Sequence, residues 1–194
     1  MSALRSILTT MQTPVSEEKD EAEAGIAAFE TVFEEHWSLV YGVIVRVLGD
    51  PDDAEDLSLE IFWRLYRKFQ HDVKTVKIRN LRAWLYRTAT NEALNGLRSR
   101  RRRAHYERQA SARALTENPV GNPVEEVERV EERARVRVVL AEMKARDAQL
   151  LLLRHTGLSY AEVAEVVGVE PSSVGTLLAR AESVFEKRYR ELEG

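Results

Sequence analysis

Apolar side chains recur along this chain at intervals of three and four, the period of a helix with one buried face, and no stretch alternates as a strand would. From Ile26 the positions Phe29, Val32, Phe33, Trp37, Val40, Tyr41 and Ile44 make one wide apolar stripe, which Gly49-Asp50-Pro51 ends. Asp50 is placed to cap the next helix, Pro51 suits its first turn, and Asp52 and Asp53 favour the positive end of its dipole. That second helix turns Ala54, Leu57, Ile61, Leu65 and Phe69 inward. A loop over Gln70–Arg79 leads to a third helix, Asn80–Arg103, whose apolar side is Leu81, Leu85, Ala89, Ala93 and Leu97. Opposite that stripe lie Arg87, Thr88, Asn91, Asn95 and Arg98, with Trp84 at the border.

Past Arg103 the texture changes. Residues 104–122 are small and polar and include Asn118-Pro119 and Gly121-Asn122, the composition of a linker. Helical pattern resumes at about Pro123, with Asn122 as its cap, and continues to Leu192. Within it Ser159-Tyr160-Ala161-Glu162 is a capping box, Gly168 supplies a left-handed turn, Val169 tucks between helices, and Pro171-Ser172 opens a final helix through Val174, Leu177, Leu178, Ala181, Val184 and Phe185. This is helix-turn-helix spacing, against the plainer alternative of an ordinary antiparallel pair. The second helix of such a motif enters the major groove by its N-terminal end, which directs Ser172, Ser173 and Thr176 to bases or phosphates and Arg180 to the backbone. The expected fold is all-α: two small helical domains, residues 25–103 and 123–194, joined by a flexible linker over 104–122. An acidic tail over residues 1–24, with Glu17, Glu18, Asp20, Glu21 and Glu23, is expected to be disordered.

Charge makes the third helix more telling. The chain of 194 residues has a net charge of −3, yet its helix runs into Arg98, Arg100, Arg101, Arg102 and Arg103. Cationic side chains favour a helix C-terminus by only about 0.3–1 kcal/mol each, so the density of this block points to nucleic-acid phosphates. Trp84 can stack on an unpaired base, and the amides of Asn91 and Asn95 can bond an exposed base edge. Other classes fall away. There is no cysteine, and His36, His71, His105 and His155 are scattered, so no metal and no cofactor is expected. No glycine-rich phosphate loop or nucleophile–base arrangement suggests an enzyme. No apolar run approaches the length of a membrane span, no secretion signal precedes the first helix, and a cytoplasmic location without membrane insertion follows as the expectation.

Taken together, the chain resembles bacterial RNA polymerase sigma factors of the extracytoplasmic-function (ECF) group from about Ile26 to Leu192. Asp53-Ala54-Glu55-Asp56-Leu57 with Glu60-Ile61-Phe62 is similar to the family's polymerase-binding helix. Arg82-Ala83-Trp84-Leu85-Tyr86 with Asn91 and Arg98 is similar to its promoter-melting helix, and Leu158–Ala164 with Ser173-Val174 and Arg180-Ala181 to its helix-turn-helix. The resemblance implies a protein that binds core RNA polymerase, reads the minus-thirty-five element of promoter DNA as duplex with its second domain, and melts the minus-ten element with its first. It assigns polymerase binding to Asp53, Glu55, Asp56 and Glu60, minus-ten DNA to Trp84, Arg87, Thr88, Asn91, Asn95 and Arg98, and phosphates to Arg100–Arg103. It also implies capture of a flipped base by the Gln70–Arg79 loop and an anti-sigma factor as a further partner.

Several alternatives stay open at this level. Asp53 and Asp56 suit a helix dipole as well as a basic polymerase surface, and Phe62, Trp63 and Tyr66 divide between core and interface, with core favoured for Phe62. The family's glutamine in the polymerase-binding helix is Leu59 here, and Gly175, Leu177 and Ala179 stand where its recognition helix is more polar or basic. Gly175 therefore marks either a close approach to DNA or simple tolerance. The rival function is a helix-turn-helix regulator that acts without being a polymerase subunit; it explains the second domain and leaves the first without a purpose. Promoter elements one to two DNA turns apart are about 35–70 Å from each other. A linker of roughly 20 residues averages only ~25 Å as a coil and extends to ~65–70 Å, so it bridges them only when held extended.

Overall fold

The computed structural model describes residue 26 and residues 28–71, 80–111 and 124–193, and every regular element among them is a helix. In chain order these are α1 (28–48), α2 (Pro51–His71), α3 (Leu81–Ser111), α4 (Val124–Glu142), α5 (Ala145–His155), α6 (Tyr160–Val167) and α7 (Pro171–Glu193). The N-terminal tail, residues 72–79 of the expected base-capturing loop and residues 112–122 of the expected linker lie outside the described residues. No helix of the described residues is long and apolar enough to cross a membrane.

The punctuation between α1 and α2 works as its residue types dictate. Gly49 takes a φ of +69°, and the Asp50 carboxylate accepts from the backbone N–H groups of Asp52 at 3.1 Å and Asp53 at 3.2 Å. The two helices close on an aromatic ladder. Phe62, 1% exposed, meets Phe33 edge-on at 4.8 Å, Trp37 at 5.8 Å and Phe29 at 6.5 Å between ring centroids. Trp63, the next residue, points outward at 59% exposure and stacks only along Tyr66.

Helix α3 departs from the sequence reading at both of its faces and at its end. Asn80 caps it, accepting from the Ala83 N–H at 2.9 Å. It then continues past Arg103 to Ser111, so residues 104–111, assigned above to the linker, are helical. Ala104-His105-Tyr106-Glu107-Arg108-Gln109-Ala110 holds no glycine or proline, and nothing stops the helix there. Leu85, Ala89, Ala93 and Leu97 are buried as expected, but so are Ala83, Tyr86, Thr90 and Leu94. The extra buried arc exists because α4, α5 and α6 dock on α3, which packs against α2 on its other side. The buried apolar residues of the two halves form a single cluster, from Val40 and Ile44 through Leu85 and Leu94 to Val139, Leu150 and Val163. The two domains are thus not merely tethered; they share a core.

The Phe62–Trp63 pair gives a direct check on this packing. Phe62→Ala is expected to cost about 3–5 kcal/mol in urea unfolding, and Trp63→Ala less than about 1 kcal/mol.

Candidate nucleic-acid interface

The outer side of α3 carries the side chains singled out for unpaired bases. Asn91 and Asn95 are exposed one helical turn apart, and Trp84 and Thr88, half-buried, continue the same ridge toward the N-terminus. The Thr88 hydroxyl donates back to the Trp84 carbonyl at 2.8 Å, which leaves its oxygen as an acceptor only. Arg102 continues the ridge into solvent, and Arg103, about a quarter-turn round the helix, is also exposed.

Arg87, Arg98, Arg100 and Arg101 of the helix have intramolecular work. Arg87 donates to the Val166 carbonyl at 2.5 Å and to the Glu165 carbonyl at 3.1 Å, at the C-terminal end of α6. Arg98 donates to the carbonyls of Ala141 at 3.2 Å and Met143 at 3.0 Å, at the end of α4. Arg101 pairs with the Glu142 carboxylate beside them. Arg100 turns inward, donating to the Leu48 carbonyl at 3.1 Å at the end of α1 and pairing with Asp53 and, at 3.4 Å, Asp50. The arginine block expected to lie on phosphates therefore divides: Arg100 ties α3 to the α1–α2 turn, Arg101 reaches α4, and Arg102 and Arg103 are exposed.

On α2 the acids line an exposed face. Glu55 and Asp56 are free of the core, Asp53 shares Arg100, and Glu60 pairs with Arg64 at 2.7 Å, which also reaches Glu92 of α3 at 2.6 Å. Those two carboxylates, Glu92 first, hold the Arg64 guanidinium above its ordinary pKa. Leu59, 47% exposed, and Trp63 stand between the acids at spacings of three and four, so the face is mixed acidic and apolar.

The helix-turn-helix is built by its caps. At the start of α6 the Ser159 N–H and hydroxyl both donate to the Glu162 carboxylate at 2.8 Å, and the Glu162 N–H returns a bond to the Ser159 oxygen at 3.3 Å. Ser159 N–H donation, with help from its hydroxyl and from Arg82, holds the Glu162 carboxyl below its ordinary value. Gly168, at φ +77°, ends α6, and the Gly168 and Val169 N–H groups share the Ala164 carbonyl at 2.8 and 3.0 Å. In α7, Val174, Leu178 and Ala181 are buried while Ser172, Ser173, Thr176 and Arg180 are exposed. A Cβ at Gly175 would make only an ordinary contact, 3.5 Å from the Tyr160 ring edge, so the packing of this fold does not itself require a glycine there. Arg154 lies over the other part of this corner, 5.6 Å from the Tyr160 centroid, and donates to the Leu158 carbonyl at 3.1 Å.

Family models match both halves of this arrangement: Sigma-70 region 2 over residues 32–103 and Sigma-70, region 4 over residues 133–183. The chain belongs to the sigma-70 family. Within it, the chain is of the ECF group. It is 28% identical over 146 residues to the ECF RNA polymerase sigma factor SigK of Mycobacterium sp. (strain KMS), covering 74% of each chain. It is 25% identical over 173 residues to the ECF RNA polymerase sigma factor SigL of Mycobacterium tuberculosis (strain ATCC 25618 / H37Rv), covering 88% of this chain and 94% of that one. Its fold is similar to that of CnrH, solved in complex with the cytosolic domain of CnrY, with a TM-score of 0.51, 20% identity and coverage of 88% and 92%. Region 2 is thus α1–α3 and region 4 is drawn from α4–α7. Proteins of the family act by binding rather than by catalysis.

Residues joining region 2 to region 4 escaped the sequence reading. The buried Gln149 amide of α5 donates to the Thr90 hydroxyl at 2.7 Å, and Thr90 donates in turn to the Tyr86 carbonyl at 2.7 Å. Arg137 of α4 donates to the Val47 carbonyl at 3.0 Å, crossing the space beside Gly49 that any Cβ would fill. Burial first, then Arg133 and Arg100, depresses its pKa. The one sequence signal for this contact is Gln149 itself, a lone amide opening the apolar run Leu150–Leu153.

The Glu162 box makes a pH-dependent contribution with a definite sign. Its folded value lies below the ordinary one, so the contribution is complete above about pH 4.3 and is lost as pH falls through the depressed folded value. The gap in urea midpoint between the wild type and Glu162→Gln should be widest at neutral pH and close as the pH falls through the depressed folded value.

Proposed function

We propose that the chain is a two-part promoter reader that binds core RNA polymerase and directs recognition, melting and transcription initiation. The observation that carries this reading is the pairing, in one chain, of an exposed amide ridge on α3, bordered by the half-buried Trp84, with a helix-turn-helix whose first helix is capped at both ends. Pro171 brings no N–H and the Ser173 N–H donates to the Glu170 carbonyl at 2.9 Å, so what the start of α7 offers beside Ser172, Ser173 and Thr176 is mainly the positive end of its dipole. Seated in the major groove at the minus-thirty-five element, that end offers hydroxyls to base edges and a positive dipole to phosphate, with Arg180 on the backbone. Uncharged hydroxyls make it a weakly electrostatic head, so tethering by polymerase supplies much of its effective affinity.

At the minus-ten element, Trp84 stacks on an exposed base, Asn91 and Asn95 bond base edges, Thr88 accepts, and Arg87 and Arg98 flank the strand. Extruding a base costs a few kcal/mol, and stacking returns about 1–3 kcal/mol of it. Arg102 and Arg103, with Arg101 once it leaves Glu142, neutralise phosphates; Arg100 acts as a structural tie. Polymerase meets the α2 face through Glu55, Asp56 and Glu60, with Asp53 shared with Arg100 and Leu59 and Trp63 adding apolar contact between the acids. An anti-sigma factor is a further partner that membership of the family proposes. A helix-turn-helix regulator acting without polymerase would have no use for that α2 face.

Run-off transcription with core polymerase on a promoter library tests the function, and absence of any sigma-dependent transcript overturns it. Asp56→Lys should weaken core binding at least tenfold, about 1.4 kcal/mol, with an unfolding midpoint near that of the wild type. Replacing Arg102 and Arg103 with alanine should flatten the salt dependence of promoter-complex formation by about 0.7–0.9 log units for each phosphate that is no longer neutralised.

A further inference from the structure

A cleft of about 860 Å³ opens where the end of α1 meets α4, α5 and α7, and no residue that lines it is assigned above to DNA or to polymerase. Its walls are largely apolar: Val45, Val136, Leu140, Leu151, Leu152 and Phe185. All of these but Leu140 are only half-buried, so hydrocarbon faces open space rather than core. The size falls within the roughly 300–1,000 Å³ of small-molecule sites, which form preferentially where two domains meet.

The rest of the lining is mainly cationic. Arg46 and Arg133 are exposed, and Arg137, half-buried, reaches the α1 end of the cleft, where its Nε donates to the Val47 carbonyl at 3.0 Å. Its Nη1 and Nη2 lie in the space that Gly49 leaves by having no side chain. Those two nitrogens carry the four remaining N–H donors of the guanidinium, and no acceptor meets them among the described residues. Nor does Arg46, Arg133 or Arg137 form an ion pair among the described residues; Glu132 lines the same cleft, exposed, and pairs with none of them. Burial first, and then the like charges of Arg133 and Arg100, hold the Arg137 pKa below its ordinary value. A partly buried charge is costly until it is paired, and an anion seated on this fork relieves both causes.

A guanidinium fork matches two oxygens of a carboxylate or phosphate at once. A bare anion would leave the apolar walls uncovered, and a neutral hydrocarbon would leave the fork unmatched. We propose that this cleft binds a small amphiphilic oxyanion, a carboxylate or a phosphate monoester on a medium-length hydrocarbon chain, with its head on the Arg137 fork, Arg46 and Arg133 at the rim, and its chain along Val136, Leu140, Leu151 and Leu152. Each methylene that the walls cover tightens binding about fourfold. Helix α1 supplies Val45, Arg46 and Gly49 while α4, α5 and α7 supply the other walls, so a bound molecule touches both region 2 and region 4. Nothing in this site depends on the DNA assignments.

Isothermal titration calorimetry of the full chain reads head and chain separately, with decanoate, octanoate, decyl phosphate, decanol, acetate and inorganic phosphate as probes. Decanoate or decyl phosphate is expected to bind one per chain with a Kd below about 1 mM, and the tighter of the two distinguishes a free carboxylate from a phosphate ester as the source. Octanoate should bind about tenfold more weakly than decanoate, and decanol, acetate and phosphate at least tenfold more weakly. In the double variant Arg46→Glu, Arg133→Glu, which alters only exposed side chains outside every assigned contact, decanoate should lose at least tenfold in affinity while the ligand-free unfolding midpoint stays near that of the wild type. No saturable binding by either charged probe overturns the proposal, as does decanol or acetate binding as tightly as decanoate, or a double variant with undiminished affinity. Two further outcomes assign the cleft to another occupant and overturn it equally. One is decanoate binding that appears only when the acidic tail is neutralised by Glu17→Gln, Glu18→Gln, Asp20→Asn, Glu21→Gln and Glu23→Gln, which gives the cleft to the chain's own N-terminal segment. The other is a dimer in light scattering that the Arg46→Glu, Arg133→Glu variant abolishes, which gives it to a second copy.

Discussion

Guanidinium groups seated on the open carbonyl ends of helices hold this molecule in its shape. Each α-helix leaves its last four carbonyls without intrahelical donors and carries partial negative charge there. Here Arg100 and Arg137 satisfy the end of α1, Arg98 the end of α4 and Arg87 the end of α6. Arginine suits the position because its fork offers several donors in one plane and is less strongly hydrated than an ammonium. Hydrogen bonds to charged groups contribute about 1.5–3 kcal/mol in favourable cases, and less where water competes, as at exposed Arg87. Three of the four contacts cross between the halves of the chain, so the same interaction that finishes individual helices also sets the relation of region 2 to region 4.

That chemistry has a consequence for function. A helix C-terminus and a nucleic-acid strand both offer arrays of partly or fully anionic oxygens, and one arginine side chain can serve only one at a time. Helix α3 is where the two demands meet. Its outer side carries Asn91 and Asn95 exposed with Trp84 and Thr88 half-buried, while Arg87 and Arg98 beside them are engaged by the helices of region 4. The apolar arc of Ala83, Tyr86 and Leu94 and the buried Gln149–Thr90 bond give the docked state specificity as well as burial, since a buried amide with the wrong partner is costly. The turn after α1 is bound into the same arrangement, because Gly49 leaves the space through which Arg137 passes.

The helices and their caps were legible in the sequence because they are local. Asp50 accepting from the two residues after Pro51, Ser159 and Glu162 closing their box, and Gly168 in the left-handed turn each depend on neighbours within four positions. In the expected stripe of α2, Ala54, Ile61 and Leu65 are buried and Leu57 half-buried, legible for the same reason, while the side chain of Phe69 lies outside the described residues; Phe62, favoured as core, is buried as well. Legibility stopped where one residue type serves several purposes. Arg98 and Arg100–Arg103 form an unbroken cationic block but for Ser99, and nothing in their order distinguishes Arg100, which reaches back to Leu48 and Asp53, from Arg102, which reaches solvent. Helical phase divides them, and the partner on each phase is set by elements tens of residues away.

By itself, then, the sequence determined two helical units, the turns that bound them and the residue types available to meet DNA, since periodicity and capping are short-range and write themselves into composition. Only the tertiary structure decided that the units share a core across α3, that Leu59 and Trp63 stand exposed among the α2 acids, and which arginines are already engaged. The physical reason is that a guanidinium's partner is chosen by the geometry of distant helix ends, and neither charge nor spacing along the chain encodes where those ends come to lie.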